Sequence, residues 1–268
     1  MRIRISHTTT HSYEQPTRYG IQELRISPAP TRSQKILEWH IECPGIDGAA
    51  TYHDGSGNLV HLVNQIGETS GFEVQVTGLV ETSNADGIIG VLSHGPAPRL
   101  FVRETALTKP NAAIIDLAER HRGRHRDQIA LYHALMSDIR AAMKFDTQAT
   151  HVHTTAAEAY GQGHGVCQDF AHVFITACRL LDQPARYVTG YLVHDAESEA
   201  HHAWAEAEVA GLGWVAFDPA NGLCPDENYV RLACGFDAAT AAPIRGIRRG
   251  PGGEEMQVRV SVRQLDTT

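Results

Sequence analysis

No stretch of the chain is apolar for long enough to cross a bilayer. Its first residues, Met1-Arg2-Ile3-Arg4-Ile5-Ser6, alternate polar and apolar instead of opening on the apolar region of a secretory leader. The expectation is therefore a chain with neither leader nor membrane partner. Cysteine is sparse and odd in number: Cys43, Cys167, Cys178, Cys224 and Cys234 make five, with no C-x-x-C pair. That argues against a disulfide framework and against a cysteine-rich zinc site, and it makes a reducing cytoplasm the expected location. Cys167 and Cys178 would lie three turns apart on one helix, too far to bridge. H-E-x-x-H is also absent. His151-x-His153, His164 and His201-His202 stand out among sixteen histidines, but no carboxylate is spaced to complete a site with them. No metal and no cofactor is expected. Basic runs are missing apart from Arg120–Arg126, and the net charge is −8. That cluster reads as a solvated turn between helices, so nucleic acid is not an expected partner. Nothing in the sequence sets an oligomeric state.

What is present is an ordinary globular composition, 42% hydrophobic and 20% charged over 268 residues, enough for two domains with real cores. Residues 1 to about 105 read as β. Alternation appears at Arg2–Thr9, Gln22–Ser27, Ile36–Cys43, Leu59–Gln65 and Phe72–Val80. Turn formers separate these runs at Glu14-Gln15-Pro16, Pro28-Ala29-Pro30, Pro44-Gly45 and Asp54–Asn58. This predicts an antiparallel, sandwich-like domain over 1–105. Residues 84–110 read as the connection to a second domain, 106–268. There the period becomes helical. Asn111 caps one helix, a second spans about Asp127 to Lys144, and Thr154 or Thr155 opens a short one with Glu158 in its first turn. Strands are predicted at Ala185–His194, His202–Ala210, Gly213–Asp218 and Met256–Val262, with 219–254 rich in loops.

One thiol organises the second domain. Glycines 161, 163 and 165 lead into Val166-Cys167-Gln168-Asp169-Phe170-Ala171-His172, after which apolar residues recur at helical spacing to Leu181. Cys167 would then sit in a first helical turn, where unpaired N–H groups and the helix dipole favour a thiolate. On this stretch alone a nucleophile and a buried core cysteine are equally good readings. A nucleophile also needs a base and a group to orient it. His202 starts one predicted strand and Asp218 ends the next. A three-residue hairpin turn makes them antiparallel neighbours, so both side chains fall at one end of the sheet. His201 competes with His202, but adjacent strand residues face opposite ways and only one can meet Cys167.

Five segments in order resemble the transglutaminase-like superfamily in its bacterial two-domain form. They are Gly165–His172, Gln183–Tyr191, His202–Glu206, Gly213–Asn221 and Ala242–Gly246. The resemblance implies an α+β, papain/transglutaminase-like core with Cys167 as nucleophile, His202 as base and Asp218 as its orienter. It also implies thiol-dependent acyl chemistry on a peptide or amide substrate, with hydrolysis as the default. The alternatives are amine transfer by a protein-glutamine γ-glutamyltransferase, or a non-catalytic scaffold. Ala220 stands where the family usually has Thr or Ser, and Gly235-Phe236-Asp237 where it often has Gly-Arg-Asp. Gln162 and Gln168 are candidates for a side-chain oxyanion donor. Asp169 and His172 read as packing groups, and Trp204 either packs in the sheet or walls an acyl pocket.

Overall fold

The computed structural model describes residues 1–92, 94–193 and 201–265. Strand β1 (Arg2–Ser27) is continuous for 26 residues, although the sequence predicts two strands parted by a turn at residues 14–16. The ladder slips between Ser12 and Thr17 and again before Tyr19. The turn formers thus make a bulge, where the missing N–H of Pro16 breaks no ladder bond. The slip changes which set faces inward: His7, Thr9, His11 and Tyr13 are buried before it, and Gly20, Gln22 and Leu24 after it.

Strands β2 (Gln34–Glu42), β3 (Ala50–His53) and β4 (Leu59–Thr82) follow. β4 also runs through a predicted break, and pairs with β1 along most of its length. β2 lines one end of β4 and β3 the other. Leu24, Ile26 and Val63 from one end share a buried cluster with Val74, Val76 and Trp39 from the other. The sheet therefore doubles over and encloses its own core, as a sandwich does. Trp39 Nε1 ties the halves by donating to the Ile26 carbonyl at 2.8 Å.

The short strand β5 (Ile88–Gly90) lies in the stretch expected to be a connection, yet it pairs with the second domain's sheet. Helices α1 (Ala112–His121) and α2 (Gln128–Ala142) are capped by Asn111 and Asp127, whose side chains accept from Ile114 N and Ala130 N. After β6 (Lys144–Phe145), α3 (Ala156–Gln162) opens on the Thr155/Glu158 capping box. Then come β7 (His164–Gly165), α4 (Cys167–Leu180), β8 (Ala185–Leu192), β9 (His202–Val209), β10 (Gly213–Phe217) and β11 (Tyr229–Gly235). His194, the predicted end of β8, lies outside the described residues. The second sheet is antiparallel, in the order β11-β8-β9-β10-β5. On β9, Ala203, Ala205 and Ala207 share the core with α4. Their small side chains let the helix lie close to the sheet, with Phe174 stacked on Phe217 at 5.5 Å. No helix among the described residues is long and apolar enough to cross a membrane.

β11 falls in the segment expected to be loop. All seven of its residues are buried, so the half-buried alternation that betrays a strand is missing. Of the last strands, β12 (Ile244–Arg249) lies in the segment expected to be loop, and β13 (Glu254–Leu265) is the strand expected at Met256–Val262, longer at both ends. Both pair with β1, at Tyr19–Leu24 and Arg2–Tyr13 respectively. Strand pairing thus assigns 244–265 to the N-terminal sheet, although the sequence division at 105/106 places them in the core.

The two sheets share an apolar seam of Ile3, Ile5, Val80 and Val260 against Tyr191, Val230 and Leu232. β11 is an edge strand, and side-chain amides from the first domain take the place of a neighbour. Gln34 binds both the N–H (2.8 Å) and the carbonyl (2.9 Å) of Arg231, and Asn58 does the same for Cys234 (2.9 and 2.7 Å). Behind the seam, the Glu206 carboxylate is wholly buried between Arg186 Nε and Arg231 Nε, each at 2.7 Å. Burial alone would favour its acid form, but the two guanidinium groups hold its pKa below the usual range. Glu206→Ala would leave two buried cations without a counter-ion. An expected loss of about 3–5 kcal/mol is readable from urea unfolding.

Candidate active site

The approach to Cys167 is built from glycines with specific tasks. Gly163 closes α3 in the left-handed region (φ 69°). Residues 164–165 then pair in parallel with β6. A side chain at 165 would meet the Asp169 carboxylate at 2.7 Å, so only glycine fits there. Asp169 in turn accepts from the Val166 N–H at 2.8 Å and from the Thr150 hydroxyl at 2.6 Å. Burial raises its pKa despite these bonds. The carboxylate thereby fixes the start of α4 to the loop before α3, with Cys167 as the first helical residue, half-buried. The Asp169 and Phe170 N–H groups donate to the Val166 carbonyl at 2.9 and 3.2 Å, whereas those of Cys167 and Gln168 have no helical acceptor four residues back.

His202 opens β9 opposite Gly190 of β8. Phe217 pairs with Ala205, so Asp218 is level with Trp204 and reaches His202 diagonally. His202 Nε2 and Asp218 Oδ2 are 2.6 Å apart. The Cys167 thiol lies near enough to the same imidazole to favour its charged form, and with Nε2 bound to Asp218 the other ring nitrogen, Nδ1, is the one left to exchange a proton with it. Burial works against a charged ring, yet the bonds to Asp218 and Cys167 outweigh it and push the His202 pKa up to about 10. Asp218 is fully buried. Besides His202 it accepts from the Tyr229 hydroxyl and Asn221 Nδ2, both at 2.8 Å, and from the N–H groups of Ala220 and Asn221 at 3.0 and 3.2 Å. Burial opposes ionisation, but these donors keep its pKa below the ordinary carboxylate value. The Trp204 ring stacks on His202 at 6.1 Å. Such a set can supply a nucleophile, an acid–base group and a fixed negative charge to hold that group's orientation.

Residues 115–219 match the model of the transglutaminase-like superfamily, and residues 3–81 match the bacterial transglutaminase-like N-terminal region. The chain belongs to the transglutaminase-like superfamily. Among curated relatives, an uncharacterized protein of Mycobacterium leprae is 26% identical, covering 98% of this chain and 99% of that one. An uncharacterized Mycobacterium tuberculosis protein is 24% identical over 92% of this chain and 87% of its own. The crystal structure of a candidate cysteine protease from Cytophaga hutchinsonii superposes with a TM-score of 0.77 at 24% identity. It covers 100% of this chain and 92% of that one. This likeness is one of fold.

Within this transglutaminase-like core, His201 and His202 point apart, as strand geometry requires. The His201 ring packs on His7 and Tyr191, away from the thiol. Gln168 reaches the Val152 carbonyl at 3.4 Å, and Gln162 ends α3 in an exposed position. Neither is drawn to Cys167 by a hydrogen bond among the described residues. His172 is buried with its pKa lowered by burial to about 4, and its Nε2 accepts from the Ala238 N–H at 3.0 Å. Ala220 touches Asp218 only through its backbone. Phe236 packs on Phe101 with ring centres 4.8 Å apart, so neither departure from the family pattern alters the contacts of His202. His164 faces Asp146 at 3.6 Å and His151 faces His153. Tyr229 was missed at the sequence level because it sits in the stretch read as loop. Asn221, three residues past Asp218, was within reach of a motif reading.

Proposed function

We propose that Cys167, His202 and Asp218 form a Cys-His-Asp triad that hydrolyses amide bonds through a thioester. The observation that carries this reading is the His202 imidazole, gripped on one side by the buried Asp218 carboxylate and on the other by a thiol at a helix N-terminus. The thiolate attacks the carbonyl carbon of a peptide or other carboxamide, and first-turn N–H groups of α4 stabilise the resulting oxyanion. The imidazolium gives its proton to the departing amine as the C–N bond breaks, leaving a Cys167 thioester. Neutral His202 then takes a proton from water as it attacks. The acid departs and the thiol–imidazole pair is restored. A primary amine in place of water would give transfer. Hydrolysis needs no second binding site and is the reading adopted here. The unpaired cysteines suit a reducing cytoplasm.

Iodoacetamide tests the pair directly. Burial raises the Cys43 and Cys224 thiols to about 11, and Cys178 and Cys234 are buried. Alkylation at pH 7, followed by peptide mass spectrometry, is therefore expected to fall on Cys167. His202→Ala should slow it at least tenfold. Equal rates in the two proteins would overturn the triad. With a glutamine peptide and excess primary amine, ammonia release without amine incorporation is expected. Incorporation outpacing release would assign the transferase activity instead.

A further inference from the structure

Beside the triad, on the side of β9 away from Cys167, three aromatic side chains lock the two domains together. His7 comes from the middle of the N-terminal sheet, where β1 is paired on both edges, with Val76 and with Val260. Its ring is buried. Nε2 meets the Thr9 hydroxyl at 2.8 Å and Nδ1 meets the Tyr191 hydroxyl at 3.0 Å. This ring and that of His201 meet edge to face, with centres 4.5 Å apart and planes at 86°. His201 also packs on Tyr191 at 5.3 Å. Burial keeps both imidazoles neutral at physiological pH, His7 falling to about 4 and His201 to about 3. His7 acts through hydrogen bonds and packing and His201 through packing, neither as a charge.

The location gives this packing a task. His202 is the first residue of β9, so the strand ladder holds it only from the downstream side. The residue immediately upstream is His201, whose ring is clamped between the domains. A shift of that ring moves the peptide that carries His202, and His202 has a 2.6 Å bond to Asp218 to keep in line. We propose that His7 and Tyr191, acting through His201, are positioning residues for the catalytic base, so that the N-terminal domain is a working part of the active site.

The proposal rests on the triad reading, and the test separates the two. His7→Ala opens a gap beside His201, whereas His7→Phe restores a ring without the hydrogen bonds. Thermal unfolding establishes that each variant is folded. His7→Ala is expected to lower kcat for amide hydrolysis about tenfold with KM unchanged, and to slow Cys167 alkylation at pH 7 by a similar factor. His7→Phe should recover most of both rates. A folded His7→Ala with wild-type kcat and alkylation rate would overturn the proposal. If His7→Ala does not fold, Tyr191→Phe decides: it removes one hydroxyl, is expected to lower kcat severalfold at constant KM, and an unchanged kcat overturns. Failure of the triad reading looks different, because wild-type alkylation would then be insensitive to His202→Ala.

Discussion

Asp218→Asn is expected to lower kcat/KM for amide hydrolysis by about 10³- to 10⁴-fold, the scale seen when the orienting acid of a triad loses its charge. The local geometry gives two reasons. Oδ2 receives three donors, from His202, Tyr229 and Asn221, and Oδ1 receives two backbone N–H groups. An amide can present only one oxygen. If its NH₂ takes the Oδ2 place, the imidazole must accept at Nε2, which moves the ring proton to Nδ1 and presents a donor to the thiol. If the NH₂ takes the Oδ1 place, it opposes two N–H groups at a stability loss of about 1–3 kcal/mol. In either case the ring loses the Asp218 charge and bond that help to raise its pKa, and the His202 pKa falls. Steady-state rates, with urea unfolding alongside, separate the chemical loss from the structural one. A loss below tenfold in a folded variant would remove Asp218 from the mechanism.

Mild acid is expected to unfold the protein, starting well above the carboxylate range. His7 and His172 are buried and His201 is half-buried, and desolvation lowers their pKa values to about 4, 4 and 3, so all three are neutral at pH 7. In the unfolded chain each titrates near 6.5. Below that pH the unfolded state takes up three protons that the folded state refuses, so stability falls as pH falls, until the folded rings also protonate near pH 4. Three protons correspond to as much as about 4 kcal/mol per pH unit, and a typical domain has only about 5–15 kcal/mol in all. By pH 5 the loss reaches about 6 kcal/mol, enough to unfold a domain at the low end of that range. His202 does not counter this slope. Its raised pKa makes its contribution fully present below 6.5, and that contribution is lost only as pH rises toward about 10. Urea unfolding at pH 7, 6 and 5 measures the slope, and His7→Phe should reduce it by about a third. A flat profile over that range would show that these rings are not held neutral.

The residues of the site were easier to read in the sequence than the frame that holds them. Cys167, His202 and Asp218 are each embedded in a local pattern: glycines running into a helix, the start of one strand, and the end of its hairpin neighbour. Local patterns also gave the cap at Asn111, the start of a helix at about Asp127, and Thr154 or Thr155 as the opening of the short helix, of which Thr155 is the cap. What stayed hidden was pairing between distant segments. Alternation at Met256–Val262 announces a strand, but nothing local says that its partner is β1. Pro16 reads as a turn, yet a bulge inside one long strand accommodates it equally well. β11 carries Arg231 and Cys234 in a fully buried run, and Arg231 is tolerated there only because Glu206 lies 2.7 Å away. The same stretch hid Tyr229, a hydroxyl donor to Asp218.

The order of strands has a consequence for how the protein is made. β1 is synthesised first, and the strands that cover one of its edges, β12 and β13, come last. About 216 residues lie between Ser27 and Ile244, and at roughly 5–20 residues per second the ribosome needs about 10–45 s to cross them. For that interval a 26-residue strand carries an uncovered edge, the feature that most readily recruits a second chain. Soluble yield should therefore follow the speed of translation and the supply of chaperones, and two variants of equal final stability can differ in how much native protein a cell recovers.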